Sequence, residues 1–225
     1  MPPRSYGQYC GLARALELIG ERWALLIIRD LLVGPRRFTD LRKGLPRIPT
    51  NVLSDRLKEL ESDGIVRRRV LPRPATATVY ELTPYGAQLE AAVVQLGLWG
   101  GQSLGAARPD EIVTADSISM ALRSTFVPEA ATGEHMVVEL CMGPDIQLQV
   151  RVEGGSLQVS RLLKPLQAAD LVVECGPVFK ALLTREVTPA AALQRRLVRV
   201  RGGPRIFDKF VQMFYLPAHR ETTRT

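Results

Sequence analysis

The residues best suited to metal or nucleophile chemistry are three cysteines and two histidines, and their spacing argues against both. Cys10, Cys141 and Cys175 lie far apart and none sits in a CxxC pair. A structural zinc needs about four clustered ligands, and only His135 and His219 could assist the cysteines. Cys141 and Cys175 therefore read as small apolar core residues. Cys10 has Arg14 four residues on, and a neighbouring cation lowers a thiol pKa, so Cys10 is the candidate for redox chemistry. No HExxH or phosphate-binding glycine loop occurs. The expectation is a protein that is not an enzyme and uses no metal or cofactor.

The charged residues give a different signal. The 225-residue chain carries a net charge of +7, unevenly spread. Residues 1–109 hold 16 Lys and Arg against 10 Asp and Glu; the remainder hold 14 against 13. A basic first half points to a polyanion, and a near-neutral second half does not. The cations cluster as Arg36, Arg37, Arg42, Lys43 and Arg47, then as Arg67, Arg68 and Arg69 with Arg73 beyond. Between the clusters lies "RIPTNVLSDRLKELESDGIV", with Thr50, Asn51, Ser54 and Asp55 on one side and Val52, Leu53, Leu57 and Leu60 as an apolar stripe. Small polar side chains on a first helical turn reach base edges in a major groove, and flanking cations reach phosphates.

Those side chains need elements to hold them. Leu12, Leu16, Ile19, Trp23, Leu26 and Ile27 recur at helical steps, with a break at Gly20 and a stop at Gly34-Pro35. Trp23 reads as core. Residues 38–45 predict a short helix capped by Thr39, and 49–63 a second with Pro49 in its first turn and Gly64 as its stop. "IVRRRVL" and "TVYELT" predict a hairpin with 72–77 as its turn. Residues 83–104 then predict one helix with Tyr85, Leu89, Val93, Leu96 and Trp99 on one face, suited to pairing with a second copy of the chain. Helices followed by a basic hairpin make a winged helix-turn-helix.

Residues 105–115 mark a boundary in composition and charge, which divides the chain into 1–108 and 109–225. The second part alternates apolar and polar residues over 135–142, 146–152 and 156–163, with a further strand at 169–176 and helices at 115–126, 177–186, 188–197 and 204–215. A short strand is expected at 198–203. The predicted class is α+β: a winged helix-turn-helix, then an α+β domain with a mainly antiparallel sheet. Phe126, Met136, Leu140, Phe179, Leu182, Phe207, Phe210, Met213 and Phe214 supply either a filled core or the lining of an apolar pocket. The N-terminus has no long apolar run and no segment reaches the length of a membrane span, so a cytoplasmic location without a membrane partner is expected.

Residues 10–100 resemble the HxlR family of bacterial winged-helix transcription regulators. The resemblance is carried by Cys10, "LELIGERWALLIIRDLLVGPRRFTDL" (16–41), "LSDRLKELESDGIVRR" (53–68) and "YELTPYG" (80–86). It implies a dimeric DNA-binding protein, and some members sense oxidants or electrophiles through an N-terminal cysteine. The family usually has a small polar residue where this chain has Pro49. Residues 111–215 are similar to the sterol-carrier-protein type-two fold, chiefly through 169–214, and that resemblance implies a hydrophobic lipid cavity.

The resulting expectation is a homodimeric regulator, a repressor, of a pseudo-palindromic operator in double-stranded DNA, modulated by an apolar small molecule in its second domain. DNA contact falls to Arg36, Arg37, Arg42, Lys43, Arg47, Thr50, Asn51, Ser54, Arg56, Lys58, Arg67, Arg69 and Arg73. The rival reading is a lipid carrier whose basic domain tethers it to anionic surfaces.

Overall fold

The computed structural model describes residues 5–72 and 76–218; Arg73 and His219 lie outside them. The chain divides into two compact units, one ending at Val93 and one starting at Val94. That division lies upstream of the compositional boundary at 108/109.

The first unit opens with α1 (Gly11–Ile19) and α2 (Ala24–Val33), followed by α3 (Phe38–Gly44) and α4 (Thr50–Ser62). Its hairpin is β1 (Val66–Leu71) and β2 (Ala77–Leu82), paired antiparallel with Arg67 opposite Glu81 and Arg69 opposite Val79. Ile27, Ile28, Leu31, Leu41, Leu53, Leu57 and Leu60 form the core, so three residues of the expected apolar stripe of α4 are buried, while Val52 is half-buried. The backbone of Arg36 bridges Tyr80, donating and accepting one hydrogen bond at 3.0 and 2.7 Å. This bridge anchors the segment entering α3 to the hairpin.

Three local expectations give way. Thr39 does not cap α3: Arg37 holds the cap position, and the Asp40 carboxylate accepts its backbone N–H at 3.2 Å. Leu12 and Leu16 are exposed on α1, which buries only Ala13. Residues 83–104 are not one helix. α5 (Pro84–Ala87) ends before Gln88, and α6 (Glu90–Gln102) begins after Leu89. Thr83 fixes the start of α5: its hydroxyl caps the helix by accepting the Gly86 N–H at 3.0 Å and donates to the Gly64 carbonyl at 2.6 Å, tying the chain to the end of α4.

The second unit contains α7 (Ala115–Thr125), a short 3-10 turn (Pro128–Ala131), β3 (His135–Met142), β4 (Ile146–Glu153), β5 (Ser156–Arg161) and β6 (Leu171–Cys175). It continues with α8 (Val178–Leu183), α9 (Pro189–Gln194), β7 (Arg199–Arg201) and α10 (Pro204–Gln212). The sheet order is β5-β4-β3-β6-β7, antiparallel except for the β3–β6 pair. Along β4, Ile146, Leu148, Val150 and Val152 are buried, while Gln147, Gln149 and Arg151 face the other side. The buried face packs against α7 and α10 in one core. Three side-chain hydrogen bonds from Arg185 to the carbonyls of Val211, Gln212 and Phe214 hold the end of α10. Gly202 approaches the Asp170 carbonyl at φ +115°, a place with no room for a Cβ.

Candidate nucleic-acid interface

The connection from α3 to α4 is five residues long, and Leu45 and Ile48 pin it by burial. Pro49 precedes α4 in an extended conformation and supplies no side-chain cap. The first turn of α4 thus keeps backbone N–H groups available for an anionic partner. Thr50, Asn51 and Asp55 are exposed, and Ser54 is half-buried on the same side.

On α3 and the segments that flank it, Arg37, Arg42, Lys43 and Arg47 are exposed and Arg36 is half-buried. Lys58 is exposed, 3.8 Å from Asp55. Arg56, grouped with these cations by sequence, is placed elsewhere. Its side chain is only 14% exposed, 3.5 Å from Glu21 and paired with Glu59. It packs toward the α1–α2 turn, not toward the side of Thr50 and Asn51.

The hairpin holds its arginines in a way the sequence pattern does not disclose. Arg67 and Arg69 share a face and grip the two oxygens of Glu81 at 2.9 and 2.8 Å. Arg68, on the other face, meets Glu61 at 2.9 Å. Hydrogen bonding from Arg69, and then from Arg67, holds the Glu81 carboxyl below its usual range against the opposing effect of its burial. Glu81 was missed because its role lies in cross-strand register, fourteen residues from Arg67. All three arginines keep exposed surface and fixed directions.

Of the five residues proposed for self-association, Tyr85, Leu96 and Trp99 are exposed, the last at 73%, while Leu89 is half-buried in the turn and Val93 is buried. The α5–α6 break takes Tyr85 off the helix that carries Val93, Leu96 and Trp99. The nine residues proposed as pocket lining come together in the core of the second unit. Phe214 meets Phe126 and Phe210 there, with ring centres 5.7 and 5.1 Å apart.

Cys10 is exposed ahead of α1. Its thiol pKa is lowered, first by the Ala13 backbone N–H and then by that of Leu12. Arg14, the expected cause, instead bonds Glu17 at 3.1 Å. Burial raises the Cys141 thiol, with the Glu139 carboxylate adding to it, and pushes Cys175 up to about 12. Iodoacetamide at neutral pH is therefore expected to label Cys10 first, with a rate that rises with pH below the ordinary thiol range. Peptide mapping at successive times checks this; equal labelling of Cys141 would contradict the assigned environments.

Residues 18–108 match the family model of the HxlR-like helix-turn-helix. The chain is 41% identical over 88 residues to the HTH-type transcriptional regulator YodB of Bacillus subtilis, covering 39% of this chain and 79% of that one. It is 37% identical over 86 residues to the uncharacterised HTH-type transcriptional regulator YvaP of the same organism, covering 38% and 80%. The solved reduced form of YodB matches 45% of this chain and all of its own, at 36% identity and a TM-score of 0.38.

Proposed function

This chain belongs to the HxlR-like helix-turn-helix family and is a DNA-binding transcriptional regulator, and on that premise we propose that it acts as a homodimeric repressor on a pseudo-palindromic operator. The observation that carries the proposal is the first turn of α4: an exposed polar side chain set with no side-chain cap, preceded in the chain by the exposed cations Arg37, Arg42, Lys43 and Arg47. In this reading Thr50, Asn51 and Ser54 read base edges. Arg36 and Lys58 join the phosphate contacts, and Arg67 and Arg69 act from the hairpin; Arg73, outside the described residues, is assigned to the same contacts. Exposed Leu96 and Trp99 on α6, and exposed Leu12 and Leu16 on α1, supply apolar surface for a partner copy. Two-fold pairing would match two half-sites. The relatives are regulators and not enzymes, and no helix among the described residues is long and apolar enough to cross a membrane. The expected place of action is the cytoplasm.

For the second unit the reading is a sterol-carrier-like domain that takes an apolar small molecule. Its support is the order strand, helix, helix, strand, helix over 169–214, with nine large apolar side chains gathered behind one sheet. A ligand changes operator affinity only by binding the two states unequally.

Selection of bound fragments from genomic DNA of the source organism tests the whole reading. The expected product is one pseudo-palindromic motif bound about 1,000-fold or more tightly than unrelated duplex, with affinity changed by an added fatty acid. Weak, salt-labile, sequence-blind binding would refute it and favour the lipid carrier.

A further inference from the structure

Between the α1–α2 turn and α4 lies an open cleft of about 360 Å³ whose wall includes Trp23, Pro49 and Val52. Arg22, Arg47 and Arg56 also line it, with Glu21 as the one carboxylate. We infer that this cleft binds a small aromatic carboxylate, its ring against Trp23 and its carboxylate among the arginines.

Three observations converge on that ligand. Trp23 holds φ +82° at the start of α2, a left-handed conformation that is costly for a bulky residue and that persists where the surrounding structure enforces it. This places the indole, which is half-buried and not in the core, in the cleft wall. The Arg22 guanidinium lies 5.0 Å from the ring centre, so a cation already borders the aromatic surface. Finally, Arg22, Arg47 and Arg56 outnumber Glu21 and the Glu59 carboxylate that also pairs with Arg56, which disfavours a cationic occupant.

The apolar wall separates a ring-bearing acid from a DNA phosphate, which would gain nothing from Trp23, Pro49 and Val52. Helix geometry makes the same separation. Pro49, Val52 and Arg56 recur at three- and four-residue steps on one face of α4, while Thr50 and Ser54 share another. A ligand in the cleft therefore abuts the helix without covering its base-reading side. It is placed to change operator affinity by biasing the position of α4; this last step alone rests on the proposed DNA-binding role.

The chain has two tryptophans, so Trp99→Phe leaves Trp23 as the sole indole reporter. Sodium benzoate, titrated without DNA, is expected to change its fluorescence saturably, with half-saturation below about 5 mM as a ligand of this size permits. Benzamide, equal in shape and uncharged, is expected to have no such effect. Arg22→Ala is expected to weaken benzoate binding about fivefold or more. Calorimetry on the unaltered chain gives a second reading that does not depend on the tryptophan variant. No saturable signal by either method, an equal response to benzamide, or full binding in Arg22→Ala would overturn the site. Operator affinity, measured by fluorescence anisotropy, is expected to shift at least about threefold with saturating benzoate. Unchanged operator affinity in a chain that binds benzoate would overturn the regulatory step.

Discussion

Gly86→Ala is expected to destabilise the first unit by about 2–4 kcal/mol, at the upper end of single-residue effects. Gly86 is buried in α5, and a Cβ there would press on the carbonyl oxygen of Ile65 and meet its Cγ2 at 3.1 Å. Neither neighbour can yield easily. Ile65 is fully buried, and its carbonyl accepts the Thr83 N–H at 2.9 Å. The Gly86 N–H is itself fixed to the Thr83 hydroxyl. Relief would require α5 to leave the junction of α4 and β1, and several hydrogen bonds would open with it. Calorimetry should show the loss as a fall in Tm of about 4–8 °C per kcal/mol for a domain near this size. Gly100→Ala on α6 is the control, because a Cβ there meets nothing within 4 Å. Equal effects of the two substitutions would sink the close-packing explanation.

The second large effect concerns binding. Replacing Arg37, Arg42 and Lys43 together by glutamine should weaken operator affinity about 10²- to 10³-fold near 0.1 M salt. The slope of log affinity against log salt should fall by about 3, one unit for each lost phosphate contact. These three side chains are exposed on or beside α3, away from the apolar stripe that carries the fold. The control removes the same number of cations at Arg195, Arg199 and Arg201, exposed in the second unit. If both triple variants lose affinity equally, net charge attracts the DNA and the α3 cations have no special place. A larger loss in the α3 variant locates the contact.

The two units were not equally legible from sequence. Strong periodicity disclosed α2, α4 and the β3–β4 hairpin, because each buries one continuous apolar face. The stripe Leu53, Leu57 and Leu60 and the alternation from Ile146 to Val152 needed no tertiary information. The misplaced features depended on partners distant in the chain. Thr83 starts α5 directly after β2, and its hydroxyl reaches Gly64, nineteen residues back. Leu12 and Leu16 repeat at helical spacing as core residues do, yet nothing within their own unit covers them. Periodicity identifies an apolar face but does not name its partner. Arg56 and Glu81 show the same limit for charge: a cation count over residues 36–73 is correct, but the carboxylates facing Arg56, Arg67 and Arg69 enter only through the fold.

The grip of Glu81 on Arg67 and Arg69 bears on how the hairpin behaves as conditions change. A phosphate approaching these arginines competes with a carboxylate already in place. Added salt weakens the attraction to phosphate and loosens the internal rival as well, so part of one loss offsets the other. The hairpin is thus partly buffered against swings in ionic strength that act in full on the exposed cations of α3. Because the Glu81 pKa is depressed, its hold is complete above the ordinary carboxylate range and lapses only as pH falls through the lowered value. Over the range in which cells live, two of the chain's most concentrated positive charges stay oriented, and their reach for stray polyanions stays moderated.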